Sequence, residues 1–381
     1  MKNIKLLFLS FLFFLPSLYF NSITPQYLAS SSVDREIKLW KNLNKCVKVL
    51  QAPSNTFCPD ATFHPMQENI ITFISKEKRF DFLRRYDVLN KRELNPITPK
   101  DFSIQVYTHH PTEKDLLALA QHGTIHIYDT KRKKYIATLE NPGIEKFFAV
   151  SFPANITEKA IVFSCADDKR IKVWDIETER CIRLFEVDGS KAISIAPHPE
   201  NKNHLATSSD RGEVSVWDLS KGKCLKTLSE SYAQSSLPKI VFHSTITNMV
   251  ATASYDRKVR LWDIKAGSLV QTLGGHQGRV YDVEFCPEHE HIAASCSFDK
   301  KVKVWDWRKK RCIKNLTGHK KTIKKISFSP IHKDRFAQED EDQRIGFLQE
   351  NLIQGINIPG KTTIQTQGAA QLLLLKSLLS W

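Results

Sequence analysis

The 381-residue sequence contains no Cys-x-x-Cys pair, no Gly-x-Ser-x-Gly elbow, no Gly-x-x-x-x-Gly-Lys-Ser/Thr loop and no His-Glu-x-x-His segment. Those absences remove the usual local signatures of a structural zinc site, an α/β-hydrolase nucleophile, a phosphate cradle and a zinc protease. Glycine is scarce, with 14 residues and no Gly-rich loop, and eight cysteines are too few for a disulfide-built scaffold. At 41% apolar and 25% charged residues the composition is ordinary for a globular chain and excludes a collagen-like or wholly disordered one. Length alone suggests two or three domains of ~150 residues, unless a closed repeat overrides that guide.

A repeat is present. Trp-Asp occurs at Trp174-Asp175, Trp217-Asp218, Trp262-Asp263 and Trp305-Asp306, with spacings of 43, 45 and 43 residues. Each pair closes a segment such as Val-Arg-Leu-Trp-Asp, where apolar and charged residues alternate as in a strand with one buried face. Weaker copies extend the grid to Trp40, Leu83, Tyr128 and Leu348, giving eight anchors at a mean interval of 44 residues. Pro65, Pro199, Pro287 and Pro330 lie 18 residues before their anchors and Pro111 lies 17 before. Within one unit, Val280 to Phe285, His291 to Cys296, Lys301 to Trp305 and Cys312 to Leu316 read as four short strands separated by turn residues. A four-stranded sheet cannot cover both its own faces, so radial stacking is expected.

These units resemble WD-repeat β-propeller blades. The resemblance implies an all-β fold of four-stranded antiparallel blades, seven or eight in number. It also implies a buried hydrogen-bonded tetrad, which His276, Ser295, Asp299 and Trp305 match after Gly275. Thr252, Asp256 and Trp262 match without the His; Asp34 with Trp40 and Asp168 with Trp174 match in part. His319 and Asp342 fit the last unit, where Leu348 replaces the Trp. The expected organisation is a hydrophobic segment at residues 1–16, a propeller over 17–348 and a divergent tail over 349–381. The span from Arg84 to Asp101, holding Pro96 and Pro99, reads as a long loop or a seam between two rings.

The two ends carry separate signals. Leu6 to Leu15 is apolar apart from Ser10, the shape of a secretory signal but shorter than a membrane span of ~20 residues. Leu18-Tyr19-Phe20 falls where the first blade's first strand is expected, so cleavage there would cut into the blade. A mis-assigned start is the third reading of these residues. Cys181, Cys224 and Cys312 lie seven residues after their anchors and Cys46 six after, equivalent positions on separate blades. Reduced, buried thiols in a cytoplasmic or nuclear protein are therefore expected. In the minority reading, a secreted or membrane-anchored chain, Asn155-Ile-Thr and Asn315-Leu-Thr become glycosylation candidates.

Binding rather than chemistry is the expected activity, with no cofactor, no metal and no small-molecule substrate. Asp175, Asp218, Asp263 and Asp306 recur with the fold and are explained by it, and His64, His110 and His198 precede prolines as turn residues. Charge is the sharper signal. The chain carries a net +15, and Lys300 to Lys325 holds twelve basic residues against one acidic, Asp306. Lys300, Lys301, Arg308, Lys309, Lys310, Arg311, Lys320 and Lys321 form the candidate partner-binding rim, suited to an acidic partner or RNA. The leading expectation is a scaffold or adaptor that binds other proteins in a multiprotein complex. The alternatives are an RNA- or pre-ribosome-associated assembly factor and a substrate receptor of a cullin-type ubiquitin ligase. The second rests on the resemblance of Trp305-Asp306-Trp307-Arg308 to the Trp-Asp-x-Arg ending of such receptors. Membrane contact is expected only if the N-terminal segment is a true anchor.

Overall fold

Period-2 alternation gives each repeat a sheet, and the computed structural model holds seven four-stranded antiparallel sheets. It describes residues 27–52, 60–77, 80–97, 103–154, 161–187, 189–229 and 235–330. Blades two to seven cover 61–97, 106–140, 147–186, 192–229, 239–274 and 280–316 in chain order. In blade seven the strands are Val280–Phe285, Ile292–Ser297, Val302–Asp306 and Arg311–Leu316, each within a residue of the boundaries expected from the pattern.

Burial follows strand position. Ile292–Ser297 reads Ile-Ala-Ala-Ser-Cys-Ser and is buried on both faces, because a neighbouring blade covers each side and only small residues fit. Outer strands are mostly exposed and are pinned by a single buried apolar residue: Leu50, Phe185, Leu228, Leu273 or Leu316. Their pairing to the third strand slips by one residue at the Trp, so that Trp40, Trp174, Trp217 and Trp305 oppose Cys46, Cys181, Cys224 and Cys312. Such a bulge increases local twist and turns the outer strand away.

No single central core exists among the described residues. Seven apolar clusters occur, one at each junction between successive blades, including the junction of blade seven with blade one. In blades two and three Leu83 and Tyr128 occupy the Trp position and are buried at 0% and 4% exposure, so the missing indoles do not break the ring. The inner strands are also tied side chain to backbone. Asp282 accepts the Ile326 amide at 3.0 Å, Glu284 that of Phe328 at 2.9 Å, and Ser327 that of Phe63 at 3.1 Å.

Closure departs from expectation. Blade one is ordered Ile323–Phe328, Tyr27–Ser32, Glu36–Lys41, Lys45–Gln51, so its inner strand comes from the far end of the described chain. Leu28 pairs with Phe328, Ala29 with Ser327 and Ser30 with Ile326. That place was expected to belong to Leu18-Tyr19-Phe20, which lies outside the described residues, as do residues 1–16, Asp342, Leu348 and 349–381. The ring is complete with seven blades. Nor is there a seam after Arg84: Phe80–Asp87 and Arg92–Ile97 are the third and outer strands of blade two, packed against blade three.

Candidate functional site

The tetrad residues meet in blade seven. Trp305 Nε1–H donates to Ser295 Oγ at 2.8 Å, and His276 Nε2 lies 2.8 Å from the same oxygen. His276 Nδ1–H donates to Asp299 Oδ2 at 2.7 Å, which leaves Nε2 to accept the Ser295 hydroxyl. Burial depresses the His276 pKa, against the raising effect of Asp299, so the ring is neutral near pH 7. Burial alone would raise Asp299, but the hydrogen bond and charge of His276, with the Gln277 and Lys301 amides, hold it at about 2. Gly275 allows this approach: its φ is +143°, and a Cβ there would lie 3.4 Å from Trp305 Cη2.

A second complete tetrad closes the ring. Trp40 Nε1–H donates to Ser30 Oγ at 2.8 Å, His319 Nε2 lies 2.8 Å from that hydroxyl, and His319 Nδ1 lies 3.2 Å from Asp34 Oδ2. His319 therefore belongs with Asp34, not with Asp342, because the loop that carries it leads into the inner strand of blade one. Asp34, Glu36 and His319 place three ligand atoms within 4.8 Å of one another. Both His319 nitrogens are already committed, and Glu36 pairs with Lys38 at 2.9 Å, so this grouping is a tetrad and its neighbour rather than a built metal site.

Blades four and six, which lack the His, recruit a cation from their third strand. Arg260, 2% exposed, meets Asp256 at 2.6 Å, and Lys172 meets Asp168 at 2.7 Å while donating to Asn141. Trp262, Trp174 and Trp217 keep their bonds to Thr252, Ser164 and Thr207. Strand alternation alone does not single out Arg260 and Lys172; a cation four residues after the turn Asp and two before the Trp was the available signal.

The histidines before the turn prolines are turn caps. His64 Nδ1 accepts the Met66 amide, His110 those of Thr112 and Glu113, and His198 those of Glu200 and Asn201. His243, which no proline marks, does the same for Thr245 and Ile246. With Nδ1 accepting, Nε2–H is the donor, and His64 and His243 use it to reach Lys114 O and Glu290 O of the following blade.

The basic residues do not form one rim. Lys300 and Lys301 lie in the turn after Ile292–Ser297, and Lys320 and Lys321 in the loop after Arg311–Leu316. These loops share the face that carries the tetrads. Arg308, Lys309 and Lys310 lie in the next turn, and Arg311 begins the outer strand, all at the opposite face. The strand between the two turns, Val302–Asp306, spans about 17 Å at ~3.3 Å per residue, so a run continuous in sequence divides in space. Arg308 stacks over Trp307 and pairs with Glu290 at 2.8 Å, and Lys309 lies 3.6 Å from Asp306. On the other face all four lysines are exposed. Arg84 and Arg85 contact Ser75, Glu93 and Asn95 within their own blade.

The seven described cysteines carry thiols. Cys165, Cys286 and Cys296 are buried, but Cys181 and Cys224 are exposed, contrary to the expectation of buried thiols. They sit opposite the Trp bulge on the outermost strand, where no further blade covers them.

Seven radially stacked four-stranded sheets with tryptophan-serine-histidine-aspartate tetrads define a β-propeller. The family model for the WD domain, G-beta repeat, matches residues 222–263 and 267–306. The GATOR2 complex protein WDR24 of Homo sapiens is 25% identical over 191 residues, 48% of this chain and 24% of its own length. A WD repeat-containing protein 55 homolog of Drosophila erecta is 33% identical over 125 residues, 32% of this chain and 24% of its own. The chain thus spans about a quarter of the length of the curated relatives it matches. Residues 222–263 and 267–306 thus carry WD repeats within a seven-bladed β-propeller.

Proposed function

We propose that the protein is a non-enzymatic scaffold that docks other proteins within a multiprotein complex. One observation carries this reading. The polar groups that resemble catalytic ones, the tetrads and the turn histidines, are consumed by bonds that build the ring, while exposed loops crowd both faces. A rigid ring with loops at two faces suits simultaneous docking. The similarity to a GATOR2 complex protein, named as a component of a complex, supports the same reading. Tagged full-length chain, purified from cells and passed over a sizing column after nuclease treatment, is expected to co-elute with partner proteins in fixed proportion. Elution as a lone chain, or partner loss on nuclease treatment alone, would overturn it.

We propose a cytoplasmic or nuclear location, supported by the exposed thiols of Cys181 and Cys224. Asn315 lies on the exposed outer strand of blade seven, so passage through the secretory pathway would show as a glycan on it. An endoglycosidase-sensitive mass shift would contradict the proposal.

A further inference from the structure

On the tetrad face, the loops of blades six and seven enclose a recess of about 470 Å³ lined by Tyr255, Arg257, Gly278, Arg279 and Phe298. We propose that this recess is the docking site for an acidic peptide segment of a partner protein, its carboxylates held by Arg257 and Arg279 and an apolar side chain packed on Phe298. The proposal rests on the scaffold reading and adds to it a surface and a partner chemistry.

Three observations carry it. First, the recess is pre-built. Phe298 N–H donates to Arg279 O at 2.9 Å, Val280 N–H to Ser254 O at 3.0 Å, and Ser297 Oγ–H to Gly278 O at 3.0 Å. A Cβ on Gly278 would fall 2.9 Å from Phe298 Cβ and 3.0 Å from the Asp299 nitrogen, so the two loops are in the closest contact that glycine permits. The His276–Asp299 bond locks the same two loops together from below. A ligand entering such a frame spends little on ordering it.

Second, the charge is uncompensated. Asp256 is committed to Arg260, Asp299 to His276 and Asp34 to His319. No ion pair engages Arg257, Arg279, Lys300, Lys301, Lys320 or Lys321 among the described residues, and all six are exposed. Two guanidiniums beside one recess match the planar, bidentate geometry of carboxylates, and the four lysines extend the positive field around it.

Third, the aromatic groups favour a peptide over a nucleic acid. Phe298 is 58% exposed, an apolar anchor with nothing packed over it. Tyr255 and Tyr281 would be the base-stacking platforms, but Arg279 lies 5.2 Å over the Tyr255 ring and Lys324 Nζ lies 3.3 Å from the centre of the Tyr281 ring. The two tyrosines meet edge to face, with centroids 5.3 Å apart. Their faces are thus taken by cations of the chain itself, which leaves little room for stacked bases.

Fluorescein-labelled poly(Glu,Tyr), titrated with purified full chain and read by anisotropy, tests the site. Arg257→Ala with Arg279→Ala is expected to weaken binding about tenfold or more, as loss of charge-assisted contacts requires. Phe298→Ala should also weaken it, while Lys309→Ala with Lys310→Ala on the opposite face leaves it unchanged. Each variant is checked for an unaltered melting profile, and Arg257→Lys with Arg279→Lys, which keeps charge but not the planar fork, should restore only part of the affinity. Equal loss from either face, no binding at all, or displacement of the probe by oligouridylate at lower concentration than by unlabelled poly(Glu,Tyr) would each overturn the proposal. Should the chain still co-elute with partner proteins in that event, the recess assignment falls and the scaffold reading stands.

Discussion

His319→Ala is the sharpest perturbation of ring closure. The side chain links the loop before Ile323–Phe328 to Ser30 and Asp34, residues 289 and 285 positions away in sequence. Removing it deletes a hydrogen bond to a charged acceptor, worth ~1.5–3 kcal/mol, and one to a hydroxyl, worth ~1 kcal/mol. It also leaves space beside Trp40. Asp34 is not stranded, because the Lys320 and Glu36 amides still reach it at 2.7 and 3.0 Å. The expected loss is therefore about 3 kcal/mol, or roughly 6 °C in melting temperature for a ring of this size. His276→Ala removes an equivalent pair of bonds at an interior junction and should cost a similar amount. The two should differ locally. Only His319→Ala should open Tyr27–Ser32 to limited proteolysis, because only that pair holds strands that no short connection joins. A loss below about 1 kcal/mol, or identical cleavage patterns in both variants, would refute the reasoning.

Asp256→Asn removes the carboxylate of the buried Arg260 and is expected to cost ~3 kcal/mol or more, whereas Asp256→Ala with Arg260→Met should recover most of it. Urea midpoints of the two variants check this, and equal midpoints would contradict it. Gly275→Ala forces a side chain onto a φ of +143° and against Trp305, so ~1–3 kcal/mol should be lost by the same assay; no shift would exclude the strained turn. Burial depresses the pKa values of His109, His198, His243, His276 and His319, so the folded protein resists protons that the unfolded chain accepts near pH 6.5. Their stabilising contribution is complete above that pH and is lost as pH falls below it. Glu284, which burial and then Asp282 push up to about 7, and Glu288, which burial raises, oppose this with two groups. Urea midpoints should thus be lower at pH 5.5 than at 7.5, and a higher midpoint at 5.5 would contradict the neutral histidines.

Much of the fold is legible because strand alternation and the Trp position repeat, and each strand of blade seven falls within a residue of its expected place. Leu83 and Tyr128 are recoverable by spacing alone, since any large apolar side chain can fill the site at a blade junction. Closure is harder to read. A tetrad histidine sits in the loop of one repeat but bonds into the next blade, so the partner of His319 lies near the other end of the described chain, and local spacing points to Asp342 instead. The basic run misleads for a related reason: hairpins send consecutive turns to opposite faces, so a one-dimensional cluster becomes two. Arg260 and Lys172 are hidden because alternation describes where a Cβ points, while a long side chain can turn back to reach a half-buried carboxylate.

Hydrogen–deuterium exchange across Tyr27–Ser32 and Ile323–Phe328 tests the seven-bladed closed ring most directly. The two segments should share one high level of protection in the full chain, and Tyr27–Ser32 should lose it in a chain ending at Thr322. Fast exchange of Ile323–Phe328 in the full chain, or undiminished protection of Tyr27–Ser32 in the shortened one, would contradict closure by that strand.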